Sequence, residues 1–166
     1  MAYEPWQPGM IMTQGRLAQL SPTWADWTPV WTTNTGANMP SFGNATITAR
    51  WAQSALTCFF RLEITFGSTT NFGGGGTSDN WRVSLPVPAA TLMLTVGMGE
   101  IQGSAAAERM PVRGRITTVT TMEIETSGRN YNNTANNSSG LIDAVTPWTW
   151  ANAHAIRLNG QYETAS

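Results

Sequence analysis

Apolar and polar residues alternate with period two through the middle of this chain. From Leu56 the even positions are Leu56, Cys58, Phe60, Leu62, Ile64 and Phe66, and between them stand Thr57, Phe59, Arg61, Glu63 and Thr65. Successive side chains of a strand point to opposite faces, so the run predicts a half-buried β-strand. Just before it, Ala45, Ile47, Ala49 and Trp51 alternate with polar residues and predict an antiparallel neighbour, joined through residues 52–55. A glycine-rich loop follows from Gly67 to Ser78, then a second alternating run from Trp81 to Leu85, stopped by Pro86. Leu92, Leu94, Val96 and Met98 extend the alternation as far as Gly97 and Gly99. Arg109 to Arg115 reads as a short strand that Pro111 assigns to a sheet edge or a bulge. Arg115 to Thr126 reads as a threonine-rich strand with Ile116, Met122 and Ile124 on one face and Val119 on the other. Ile156, Leu158 and Tyr162 mark the last strand, with Gly160 at a bulge. The sum is about seven or eight antiparallel strands and almost no helix: an all-β fold, with a single jelly-roll-like β-sandwich over residues 41–166 favoured over a closed barrel.

Residues 1–40 have a different texture. Pro5, Pro8, Pro22, Pro29 and Pro40 disfavour helix, and only a short one from Thr13 to Leu20 fits between them. The expectation is an extended, proline-rich N-terminal arm. It carries Trp6, Trp24, Trp27 and Trp31, large apolar surfaces that pack either on a neighbouring subunit or on the protein's own core. Phe59, an aromatic on the polar face of the central strand, joins these tryptophans as a candidate docking or oligomer-interface residue.

Composition narrows the partners. Charged residues make up 11% of the chain, against about 25% in an average soluble domain, and all nine basic residues are arginine. Such a chain offers no basic stripe to phosphates, which argues against nucleic acid. Low charge with eight tryptophans and eight methionines fits a protein that buries surface in an assembly. No run approaches the length of a membrane span, and residues 1–6 lack the pattern of a secretory signal, so cytoplasmic synthesis is expected.

Reactive chemistry is sparse. Cys58 stands alone on the apolar face and reads as a small buried hydrophobe. One cysteine and one histidine, His154, cannot assemble a Cys/His zinc site within one chain, and no cofactor is expected. The glycines Gly73–Gly76 precede a strand-like run, not the helix of a phosphate-binding loop. Glu123 and Glu125 share a strand face and could in principle run glycoside hydrolysis, but solvated surface carboxylates are the ordinary reading. A second candidate set is Tyr131, Trp148 and Trp150, near the asparagine-rich loop Ser127–Gly140, where aromatic rings and amides could take a host glycan.

One resemblance joins several of these stretches. Gly-Asn-Ala-Thr-Ile-Thr-Ala-Arg-Trp (Gly43 to Trp51), the long alternating strand, Phe-Gly-Ser-Thr-Thr-Asn-Phe-Gly (Phe66 to Gly73) and Trp-Arg-Val-Ser-Leu-Pro-Val (Trp81 to Val87) follow Trp31-Thr32 in order. Together, Trp31 to Pro86 resembles a module of virion proteins from tailed phages, especially those infecting actinobacteria, and Pro8 to Thr13 is similar to the leader that often precedes it. The resemblance implies a non-enzymatic structural protein, often a homotrimer, of the minor tail, fibre or head decoration type. The chain is shorter than fibre members, which implies a compact surface trimer docked on a major capsid or tail protein. A carbohydrate- or receptor-binding module of the virion is the alternative.

Overall fold

The computed structural model describes residues 8–11, 13–15, 22–74, 79–92, 95–103, 108–126 and 140–165. Its strands are β1 (Ala25–Asp26), β2 (Trp31–Thr33), β3 (Thr46–Ser54), β4 (Thr57–Thr65), β5 (Trp81–Ser84), β6 (Gly97–Gln102), β7 (Arg109–Thr118), β8 (Thr121–Thr126) and β9 (Ala155–Glu163). All belong to one antiparallel sheet in the order β1-β3-β4-β9-β6-β7-β8-β5-β2. The fold is all-β, and the alternating run found in the sequence is its β4.

β3 turns into β4 through Ala55 and Leu56, with Ser54 opposite Thr57 and Ala55 at φ 51°. β9 pairs along the whole of β4, from Thr57 opposite Glu163 to Thr65 opposite Ala155, and its other edge pairs β6. The stretch β9-β6-β7-β8 therefore has Greek-key order: three consecutive strands, with a fourth returning beside the first.

The sheet cannot lie flat. Its two outermost strands, β1 and β2, are separated in the chain only by residues 27–30. That tether spans less than about 19 Å at 3.8 Å per step. A flat nine-stranded sheet would hold its edges about 38 Å apart at 4.8 Å per strand. The sheet curls to bring its two edges within that span, and the enclosed face becomes the core. Phe60, Leu62 and Ile64 of β4, Ile101 of β6, Val112 and Ile116 of β7, Met122 and Ile124 of β8, and Ile156, Leu158 and Tyr162 of β9 all point into it.

Several elements differ from the sequence reading. Leu92 is exposed, Val96 buried and Met98 exposed, so they do not share a strand face; the strand starts at Gly97. Gly97 and Gly99 belong inside it because β6 and β9 approach closely there. A Cβ on Gly99 would strike the Arg157 carbonyl oxygen, and one on Gly160 the Val96 carbonyl oxygen. Gly160 is thus a close-approach residue in regular register, opposite both Phe60 and Gly97, with no bulge. Arg115 to Thr126 is not one strand but the turn of the β7–β8 hairpin: Thr118 faces Thr121 across Val119-Thr120, with a register shift between Ile116 and Thr118. Pro111 sits in an interior strand, but the described β7–β8 pairing begins only at Val112, so Pro111 has β6 alone as described neighbour. Residues 25–33, expected within the arm, supply both edges of the sheet. The helix expected from Thr13 to Leu20 falls mostly outside the described residues.

Candidate functional site

The aromatic candidates divide by position. Trp31 is 6% exposed and packs in the protein's own core. Its ring centroid lies 4.6 Å from Trp81, 5.1 Å from Phe42, 5.4 Å from Phe66 and 6.3 Å from Phe72. Trp31 is on β2 at one end of the sheet, Trp81 on the adjacent β5, and Phe66 directly follows β4 near the other end, with Phe42 and Phe72 supplied by loops, so the cluster seals the curl. Offset and edge-on pairs at such spacings each add about 0.5–1.5 kcal/mol beyond area burial. Trp150 completes the cluster, 5.1 Å from Trp81 and 5.5 Å from Phe66. Its Nε1–H donates to the Asp143 carbonyl at 2.9 Å and the Thr146 carbonyl at 3.2 Å. Trp150 is buried and presents no face for a sugar; Trp148 is half-buried against it at 5.6 Å. Trp27 is half-buried, edge-on to Phe60, whereas Trp24 is 43% exposed, its carbonyl accepting from Arg50. Trp6 and Tyr131 lie outside the described residues.

The outer face of the sheet carries the charge. Every described arginine sits on a strand there and has a carboxylate partner. Alternation places Glu123 and Glu125 on this face, as the sequence indicates, but they are buried, not solvated. Glu123 accepts from Arg82 at 2.8 Å; Glu125 is held by Arg113 and lies 3.7 Å from Arg115. The alternation that assigns a face says nothing of what stands across the strand, so this ladder was not visible in the sequence. Paired with guanidiniums across the strands in this way, the two carboxylates help fix the register of β5, β7 and β8.

Further along the same face lies a shallow groove of about 360 Å³, lined by Arg61, Glu63, Met98, Gly99, Glu100, Arg157, Leu158 and Asn159. Arg61 Nε donates to Glu63 Oε1 at 2.7 Å. Arg157 Nη1 donates to Glu100 Oε1 at 2.9 Å and to Gln102 Oε1 at 3.0 Å, with Arg109 3.7 Å from Glu100. Asn159 lies directly across from Arg61 on one side and Met98 on the other. Phe59 is half-buried beside this groove, opposite Ala52 and Gln161, and Gln161 also lines a second shallow groove of about 330 Å³.

Four other titratable groups are bound into the fold. Cys58 is fully buried, and desolvation raises its thiol pKa, partly offset by hydrogen bonding with Tyr162. Tyr162 Oη donates to the Val87 carbonyl at 2.7 Å, and burial pushes its pKa up strongly. Burial lowers the pKa of His154, against a smaller opposing effect of Glu108; its Nδ1 accepts the Ala151 N–H at 3.3 Å. Asp79 accepts from Thr35 and from Asn38, the latter at 2.6 Å, and these bonds hold its carboxyl below the usual range. Among the described residues no group of three or more His, Cys, Asp or Glu is placed to hold a metal ion, and no helix is long and apolar enough to cross a membrane. No protein-family model matches the chain, and no curated protein or solved structure matches it either.

Proposed function

We propose that this protein is a non-enzymatic structural component of a tailed-phage virion, a compact homotrimer on the particle surface acting as a capsid decoration or minor tail protein. The observation that carries the reading is the resemblance of Trp31–Pro86. In the fold that stretch supplies β2 to β5, and Trp31, Phe42, Phe66, Phe72 and Trp81 within it form most of the sealing cluster. A jelly-roll-like sandwich belongs to the same reading and is supported by the nested pairing of β4 with β9, β5 with β8 and β6 with β7. The proline-rich arm does the docking, and its working part is the stretch ahead of β1, since residues 25–33 are built into the sheet. Exposed Trp24 at the root of that stretch and half-buried Phe59 on the outer face are aromatic surfaces that a neighbour could cover. The test is co-purification. Full-length chain added to particles lacking it should bind them, and chain without residues 1–21 should stay folded and trimeric but fail to bind. Unimpaired binding by the shortened chain, or a monomer in solution at micromolar concentration, overturns the proposal.

A further inference from the structure

We propose that the groove floored by Asn159 is a binding site for a neutral saccharide, a ligand class the virion reading does not require. The groove's own residues argue for it. The charges on its lining cancel, Arg61 and Arg157 against Glu63 and Glu100, with Arg109 just outside the lining and itself beside Glu100, so the lining is not a strongly charged patch of the kind that selects phosphates or charged peptides. What it presents instead is a mixture of fixed donors and acceptors. Arg61 spends Nε and Nη2 on Glu63, and Arg157 spends Nη1 on Glu100 and Gln102. A guanidinium has five N–H donors, so each arginine keeps others free to point at a ligand. The Asn159 side-chain amide, a donor and an acceptor together, is exposed and has no hydrogen-bond partner among the described residues. Hydroxyl groups both donate and accept, and a ring of them matches such a set where a purely anionic or cationic ligand does not.

Two further features fit a sugar. Met98 is 53% exposed on the wall opposite Arg61, giving the C–H face of a pyranose an apolar surface to lie on. The polar walls are already held by ion pairs on paired strands, so ligand binding orders few side chains, and that cost is what usually weakens shallow sites. The volume, about 360 Å³, lies at the small end of ligand sites, which run from about 300 to 1,000 Å³, so a short oligosaccharide segment is the expected occupant. This site shares no lining residue with Tyr131, Trp148 or Trp150, where the sequence suggested glycan contact.

The experiment is a titration of the ¹⁵N-labelled full chain with neutral oligosaccharides of glucose, galactose, mannose, rhamnose and N-acetylglucosamine, followed by amide chemical shifts. At least one should saturate, with Kd around 1 mM, shifting the amides of Glu63, Gly99 and Asn159. Asn159→Leu should weaken that binding at least about tenfold while its unfolding midpoint stays near wild type. Should Asn159→Leu fold poorly, Met98→Ala removes only the exposed wall and should still weaken binding severalfold. No shift with any of these sugars overturns the proposal, as do shifts that survive both substitutions, or the same amides shifting only with hexaglutamate or with rising protein concentration. The titration uses isolated protein, so its failure leaves the particle-binding test untouched, and the reverse.

Discussion

Trp31→Ala separates two roles that the sequence left open for this tryptophan. If Trp31 is a docking residue, its loss weakens association and leaves the folded unit intact. The structure instead gives it four aromatic neighbours within 6.3 Å and 6% exposure. Truncating a buried tryptophan to alanine costs about 3–5 kcal/mol in lost transfer energy and cavity. The upper end is expected here, because four aromatic pairings are lost together. A domain of this size is stable by about 5–15 kcal/mol, so the variant keeps only part of its margin. Urea unfolding followed by tryptophan fluorescence reads the change directly, with Trp24→Ala as control. Trp24 is 43% exposed, and its loss should cost under about 1 kcal/mol. A Trp31→Ala loss below about 1 kcal/mol, or one no larger than that of Trp24→Ala, would refute the claim that this ring seals the curl.

Three other outcomes follow from named contacts. Glu125→Ala should destabilise by about 1–3 kcal/mol in the same assay, less than the 3–5 of a fully enclosed pair because Arg113 and Arg115 reach solvent. Ala55→Gly should raise the melting temperature by a few degrees, since Ala55 holds φ 51° and glycine relieves about 1 kcal/mol there. His154 is kept neutral by burial, its folded pKa lowered, so the unfolded chain takes up a proton that the native one refuses. Native stability from this residue is therefore whole above the ordinary histidine pKa of about 6.5 and falls as pH drops below it. Melting curves from pH 7.5 to 5.5 should show that slope, and His154→Gln should flatten it; an unchanged slope counts against the assignment.

What could be read in advance followed from side-chain periodicity. β4 and β5 alternate throughout, and β9 does so from Ile156, because one face is core and the other is not. β6 was misplaced because Gly97 and Gly99 have no side chains to alternate, while Leu92 and Met98 imitate a pattern they do not share. The β7–β8 turn went unseen because Thr118, Val119, Thr120 and Thr121 are β-branched and include none of the residues that mark turns. The outer-face sites were less legible still. The Asn159 groove and the Arg82–Glu123 pair depend on which strands lie side by side, and residues 41 or more apart in sequence become neighbours only through that register. Trp31 illustrates the same limit, since its chemistry suits an interface and a core equally until the curl assigns it.

The position of β9 has a consequence for how the protein is made. β4 is finished when Thr65 leaves the ribosome, but its partner ends at Glu163. At about 5–20 residues per second the β4 edge waits roughly 5–20 seconds before β9 exists to cover it. During that wait β3–β4 is a hairpin with Phe60, Leu62 and Ile64 on one side and an open backbone edge, the kind of surface that aggregates. Folding is thus gated by the synthesis of β9. Among the described residues, trimming ahead of Ala25 removes no paired strand, whereas a stop codon before Ala155 leaves the centre of the sheet empty and should yield only insoluble product.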